Sequence, residues 1–364
     1  MTATLTDDGP APQAPRPARA RARASGGLGR YVLVRFLLII PTVLILMTVV
    51  FFLMRITGDP ITAALGGRLT PAELAARRAE AGYDRPLIVQ YLDYLGGVLR
   101  GDFGTTYTDR TPVIEILSTY GAATFELVAY SVVVALLLGV PLGMIAARTR
   151  DRWPDAVLRI VAILGYATPV FFVGLLLKLV FSVGLGWLPV AGRISTRGEI
   201  TMSTILNPTP FYLLDALRLG DAGLLIDVAS HAILPAVALG ILTGGIFLRL
   251  VRTNMIGTLE MQYIESARSR GVAESRLTTR HALRPALIPI VTVMGMQIAM
   301  MLGGAVLTET TFEWNGLGYM LAQYMKARDY VAVQGIVMML AVIVAVSNFV
   351  VDVIAALIDP RVRY

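Results

Sequence analysis

The 364-residue chain contains no cysteine. That removes disulfides, thiolate nucleophiles, iron–sulfur clusters and every cysteine-built zinc site. Histidine is nearly absent as well: His231 and His281 stand far apart, too few for a histidine-built metal centre. Lysine is limited to Lys178 and Lys326. Neither lies in a G-x-x-x-x-G-K-[ST] frame, so the chain carries no P-loop for ATP. Charge is scarce too, at 16% of residues, against about 25% in average soluble domains. A single soluble domain is therefore a poor description.

Hydrophobic residues make up 55% of the chain and are grouped. Six stretches free of Asp, Glu, Lys and Arg, at 36–54, 127–147, 160–177, 228–248, 285–308 and 330–351, reach the roughly 17–25 residues that a bilayer requires. One such run is compatible with a buried core helix; six are not. None alternates with period two, as barrel strands would. In hydrocarbon only a helix satisfies its own backbone, so the expected fold is all-α, with spans near 31–55, 122–147, 158–182, 228–248, 285–308 and 330–352. The first run is too long for a signal-peptide core and ends in Phe51, Phe52, Leu53 and Met54 rather than small residues.

Arginine sets the orientation. With both termini in the cytoplasm, the inner segments carry 19 Arg against 8 acids, and the outer segments 12 basic residues against 15 acids. The positive-inside rule selects this arrangement in a cell membrane. Residues 1–29 form a Pro/Ala/Arg tail with too little apolar content to fold; its arginines fix topology or touch anionic lipid. The first outer loop shows a capping box at Thr70-Pro71-Ala72-Glu73, a stop near Gly82, and a second helix after Pro86 with Leu87, Tyr91, Leu95 and Val98 on one face.

The inner loop over 249–284 carries the most information. Residues 261–270 read as a helix, with Arg268 and Arg270 in its last turn and Gly271 where a left-handed residue ends a helix. A second helix over about 273–283 is expected to stop before Pro285. The alternatives for this helix–turn–helix are a nucleic-acid reader, excluded by its tether to two membrane spans, a plain connector, or a docking element for a cytoplasmic protein.

Glu265-Ser266-Ala267-Arg268-Ser269-Arg270-Gly271 resembles the E-A-A-x-x-x-G loop of ABC importer permeases, with serine for the first alanine. The run HALRPALIPIVTVMG is similar to its continuation in peptide permeases, with Pro285 at a position commonly Asn. Gly58-Asp59-Pro60, Gly101-Asp102-Phe103-Gly104, Pro189-Val190-Ala191-Gly192-Arg193, Phe312-Glu313-Trp314-Asn315-Gly316-Leu317-Gly318, Ala327-Arg328-Asp329-Tyr330, Val333-Gln334-Gly335 and Asp359-Pro360-Arg361 follow in order. Together they resemble the B-type permease of dipeptide, oligopeptide and nickel importers; glutathione importers share the type. The resemblance implies a type I importer fold that is not itself an enzyme. It implies a heterodimer with a second permease, two cytoplasmic ATPases carrying ATP and Mg²⁺, and an extracytoplasmic solute-binding protein, with no cofactor in this chain. It also implies that Glu265, Ser266, Ala267, Arg268, Arg270 and Gly271 form the ATPase-coupling loop, with Glu265 bonding across the turn.

Several polar residues lie in or beside spans. Glu126, Glu309 and Glu313 are candidate contacts for cargo or for the binding protein. Lys178 is expected to reach outward to water, Asp352 to mark an inner boundary, and Trp187 and Trp314 to sit at the outer interface. Pro41, Pro141, Pro169, Pro235 and Pro289 interrupt spans, where kinks are tolerated. A self-contained secondary transporter would show inverted repeats, and none is evident. An intramembrane enzyme would need a nucleophile–base pair, and neither G-x-S-x-G nor H-E-x-x-H occurs.

Overall fold

The computed structural model describes residues 28–56, 58–67 and 69–358. The basic tail expected over 1–29 lies outside them except for its last two residues, as does the terminal 359–364 segment. No strand occurs among the described residues, only an isolated bridge between Thr105 and Pro112.

Helix α1 (Leu28–Ile56) is the first span. Three short helices follow outside it: α2 (Pro60–Leu65), α3 (Pro71–Glu80) and α4 (Leu87–Leu99). Asp59 caps α2 by accepting from the Ile61 and Thr62 amides. Thr70 and Glu73 form the expected reciprocal box on α3. The apolar face of α4 lies on α1, with Tyr94 stacked on Phe51 at 5.5 Å between ring centroids and Tyr91 edge-on to it at 5.3 Å. Leu87 stays exposed.

The second span, α5 (Val113–Arg148), and the fourth, α10 (Ala222–Leu259), have 36 and 38 residues. At about 1.5 Å per residue each far exceeds the ~30 Å hydrocarbon core, so both project past the expected 122–147 and 228–248. Their shared seam is built on small residues. A Cβ added at Gly139 would stand 2.6 Å from the Phe247 Cβ, and one at Gly143 2.6 Å from the Val251 Cβ. Close helix approach through glycine is how bilayer helices gain packing energy.

The third span is not one helix. Helices α6 (Trp153–Ala167) and α7 (Val170–Leu177) meet at 106°. Pro169 bars the helical region to the residue before it, and Thr168 is extended at φ −84°, ψ 132°. A π-helical stretch, Lys178–Gly184, continues α7. The other four prolines lie inside continuous helices, so of the five only Pro169 breaks its span. The described residues thus hold five continuous apolar helices and one broken one.

Between the third and fourth spans, α8 (Thr196–Ser203) and α9 (Tyr212–Leu219) pack on the start of α10 around Ile194, Met202, Ala216, Leu224 and Val228. Between the fourth and fifth spans, α11 (Gln262–Ser269) precedes α12 (Glu274–Arg276), which passes through a π-helical stretch, Leu277–Ala282, into the fifth span, α13 (Leu283–Phe312). The separate second helix ending before Pro285 is therefore not observed; one winding runs on through it. Pro285 supplies no amide to the His281 carbonyl four residues back. That carbonyl instead accepts from the Tyr263 hydroxyl at 3.4 Å. Helices α14 (Leu317–Lys326) and α15 (Tyr330–Ile358) complete the chain. Arg35 on α1 pairs with Asp352 on α15 at 3.1 Å, so Asp352 ties the first and last spans together.

Candidate functional site

The element between the fourth and fifth spans is α11 with its turn. Ile264 is fully buried and Ala267 nearly so. Ile264 packs in the cluster that holds Ala147 of α5, Val251 and Met255 of α10, and Ala282 and Ala286. The helix stops by a Schellman arrangement: the Val272 amide donates to the Ala267 carbonyl and the Gly271 amide to that of Arg268, while Gly271 takes φ +78°. This pattern satisfies the terminal carbonyls and requires a left-handed residue.

The charged residues divide differently from expectation. Glu265 is exposed; its carboxylate makes no bond across the turn, while its amide donates to the Met261 carbonyl at 3.3 Å and its carbonyl accepts from the Ser269 hydroxyl at 3.0 Å. The cross-turn pair is Arg268–Glu274. The Arg268 guanidinium holds the Glu274 carboxyl below the usual glutamate range. Spacing explains the exchange: residue 274 lies beyond the turn, facing the last turn of α11, whereas Glu265 is a turn too early. Ser266 donates to the Gln262 carbonyl at 2.9 Å, and Arg270 Nε to the Ser266 carbonyl at 3.1 Å.

Two ion pairs that sequence reasoning missed brace this end. Asp155, fully buried at the start of α6, accepts both arms of Arg252 of α10 at 2.6 and 2.7 Å. Arg150 pairs with Glu260 at the end of α10. The α5–α6 turn is thereby fastened to the helix that leads into α11. Asp155 had no signal beyond its place in an Arg-rich loop.

At the outer end, Glu126 and Glu309 are buried and engaged. Glu126 lies well inside α5 and pairs with Arg193 at 2.7 Å, both side chains under a tenth exposed; its other oxygen accepts from the Leu213 amide at 3.2 Å. The Arg193 guanidinium also lies over the rings of Tyr212, at 3.9 Å, and Trp314, at 5.6 Å. Glu309 accepts from Thr124 Oγ1 at 2.7 Å and from the Tyr319 amide at 2.9 Å. The Gly316–Gly318 turn closes over it; a Cβ at Gly316 would stand 2.5 Å from the Glu309 Cδ. Glu313 is exposed and left-handed at φ 52°. Trp314, expected at the interface, is fully buried and donates Nε1 to the Ala123 carbonyl at 2.9 Å, while Trp187 is exposed. Lys178 turns inward to the Thr311 carbonyl at 3.1 Å.

A second outer network centres on Asp329, fully buried, which accepts from the amides of Tyr107 and Thr108 at 2.6 and 2.8 Å. Beside it, Asp109 accepts from Thr106 and from the Tyr324 hydroxyl. Burial raises the Asp109 pKa, but bonds from Thr106, Tyr324 and Thr111 outweigh it and hold the carboxyl below the usual range. The short motifs Pro189–Arg193, Phe312–Gly318 and Ala327–Tyr330, far apart in sequence, thus converge into two braces that join the outer loops to the spans.

Residues 139–364 match the family described as "Binding-protein-dependent transport system inner membrane component", and residues 28–128 match the N-terminal region of such membrane components. The chain is 37% identical over 337 residues to the dipeptide transport system permease protein DppB of Escherichia coli (strain K12), covering 92% of this chain and 99% of that one. It is 38% identical over 329 residues to the di/tripeptide transport system permease protein DppB of Pseudomonas aeruginosa (strain UCBPP-PA14), covering 90% and 96%. It is 36% identical over 335 residues to the glutathione transport system permease protein GsiC of Salmonella typhimurium (strain LT2), covering 92% and 99%. With its apolar helices, its externally braced loops and its match along nearly the whole chain, this protein belongs to the family of inner membrane permease components of binding-protein-dependent transport systems.

Proposed function

We propose that this permease forms half of a translocation pathway for small peptides, paired with a second permease and fed by an extracytoplasmic solute-binding protein. Both termini and the α11–α12 element lie in the cytoplasm, on the side with the arginine excess. ATP and Mg²⁺ are held by two separate ATPase subunits, and this chain hydrolyses nothing. The observation that carries the reading is the build of α11. It is anchored by Ile264 to a cluster drawn from α5, α10 and α13, and it presents Glu265, Ser266, Arg268 and Arg270 outward. A helix docked to an ATPase through that face would move as the ATPases close. The continuous winding from α12 into α13 would carry the displacement into the membrane, biasing a two-state structure. Relatives that carry dipeptides, di/tripeptides and glutathione support peptide-sized cargo. The test is reconstitution of the chain with candidate permease, ATPase and binding-protein subunits from the same organism in proteoliposomes. ATP-dependent uptake of a labelled dipeptide, abolished without the binding protein, is the expected result. Uptake by this chain alone, driven by an ion gradient, would overturn the reading.

A further inference from the structure

A basic groove lies between α6 and α10, next to the Asp155–Arg252 brace. Higher up, the two helices touch: a Cβ at Gly245 would stand 2.8 Å from the Ala162 carbonyl oxygen. Beside this contact, and above the Asp155–Arg252 pair, is a cavity of about 200 Å³ lined by Ala162, Tyr166 and Leu248 and rimmed by Arg159, Arg249 and Arg252. One carboxylate answers these three guanidinium groups. Asp155 takes Arg252 in a bidentate pair and stands 3.7 Å from Arg159. Arg249 is exposed and has no ion-pair partner among the described residues.

We propose that this groove binds the phosphate head group of an anionic phospholipid of the inner leaflet. Three observations converge on that occupant. The rim carries surplus positive charge at the depth where the Arg-rich loops meet the spans, and basic pockets between helices on that side suit anionic head groups. The cavity is smaller than the roughly 300–1,000 Å³ that encloses a whole small molecule, which fits a head group whose tails lie outside. Those tails have an apolar exit: Ile163 of α6 lies on the cavity wall and is itself exposed. Trp153, 77% exposed at the foot of α6, marks the interface that an indole ring prefers. The inference rests on the cytoplasmic placement of this end and not on the cargo.

The experiment is native mass spectrometry of the full chain, purified with the subunits that accompany it and titrated with dioleoyl-phosphatidylglycerol or dioleoyl-phosphatidylcholine. Phosphatidylglycerol should be retained on the order of tenfold better, the scale expected of a few basic residues near a lipid surface. Arg159→Gln with Arg249→Gln should erase most of that preference, while Arg276→Gln on the exposed inner loop should keep it. Both target side chains are exposed, so their replacement spares the core, and a thermal melt of each variant checks that it does. Equal retention of the two lipids would overturn the proposal, as would an unchanged preference in the double variant. Displacement of the lipid by millimolar inorganic phosphate would overturn it too, because the groove would then be a free-phosphate site. So would exclusion of lipid once the second permease is assembled, because the groove would then be a protein interface. A preparation that retains phosphatidylglycerol yet transports no peptide refutes only the function proposed above.

Discussion

Removing one member of the Glu126–Arg193 pair should cost far more than removing both. The two groups are 2.7 Å apart and each is over nine-tenths buried. At an effective dielectric of about 20 their attraction is roughly 6 kcal/mol. The loss of hydration is several kcal/mol per ion, so the pair as a whole is close to neutral for stability. Glu126→Ala removes the attraction and leaves the Arg193 charge buried against Tyr212 and Trp314. Such breakage costs about 3–5 kcal/mol. Glu126→Gln with Arg193→Met removes both charges at similar volume and should recover most of that loss. The assay is the thermal unfolding midpoint of the detergent-solubilised protein for wild type, Glu126→Ala, Arg193→Met and the double variant. Each single variant is expected to fall by several degrees and the double variant by much less. Single variants that melt like wild type, or a double variant that merely sums two losses, would refute the account of this brace.

The α5–α10 seam gives a steric contrast. Gly139→Ala drives a Cβ to 2.6 Å from the Phe247 Cβ, whereas a Cβ at Gly303 meets nothing within 4 Å. The first should lose about 1–3 kcal/mol as an overpacked site, read as lower membrane abundance and midpoint, and Gly303→Ala should match wild type. For topology, cysteines placed at the exposed Thr105, Thr196 and Ser275 are read with an impermeant thiol reagent on intact spheroplasts. The first two should label and the third should not; labelling of Ser275 would invert the orientation. The Arg268–Glu274 pair predicts a pH dependence of the turn. Because Arg268 lowers the folded-state pKa of Glu274, its contribution is present above the ordinary glutamate pKa of about 4.3 and is lost as pH falls through the lowered value. A spin label at Ser275 should lose order as pH falls below the ordinary glutamate range, and Arg268→Met should remove that pH dependence.

What the sequence revealed and what it hid follow from the kind of signal each feature leaves. Long charge-free runs and arginine bias announce spans, and Thr70–Glu73 and Gly271 announce a cap and a turn, because each rests on local spacing. The ends of α5 and α10 were hidden because helices of this length leave the membrane, and their outer turns lose the apolar signature. The break at Thr168–Pro169 looked like four other prolines that leave their helices continuous; only the tertiary position of α7 separates them. Buried pairs such as Asp155–Arg252 and Glu126–Arg193 join residues 97 and 67 positions apart, which no local pattern can link. Glu309 stands out in the sequence as an acid at the end of a span, yet its partners give it a structural role. It holds the Gly316–Gly318 turn from beneath.

The central claim is that the α11 turn transmits ATP-driven motion to the spans, and Gly271 is the place to test it. The residue is left-handed with open space around it, so a substitution acts through backbone strain alone. That strain is about 1–2 kcal/mol for an ordinary side chain and more for a branched one, whereas asparagine tolerates the conformation. The measurement is ATP hydrolysis by the purified assembly with cargo-loaded binding protein, beside the amount of ATPase that co-purifies. Gly271→Val should insert and pair with the second permease yet lose ATPase docking and stimulated hydrolysis, while Gly271→Asn should retain both. A Gly271→Val assembly that holds its ATPase, hydrolyses and transports like wild type would contradict the claim.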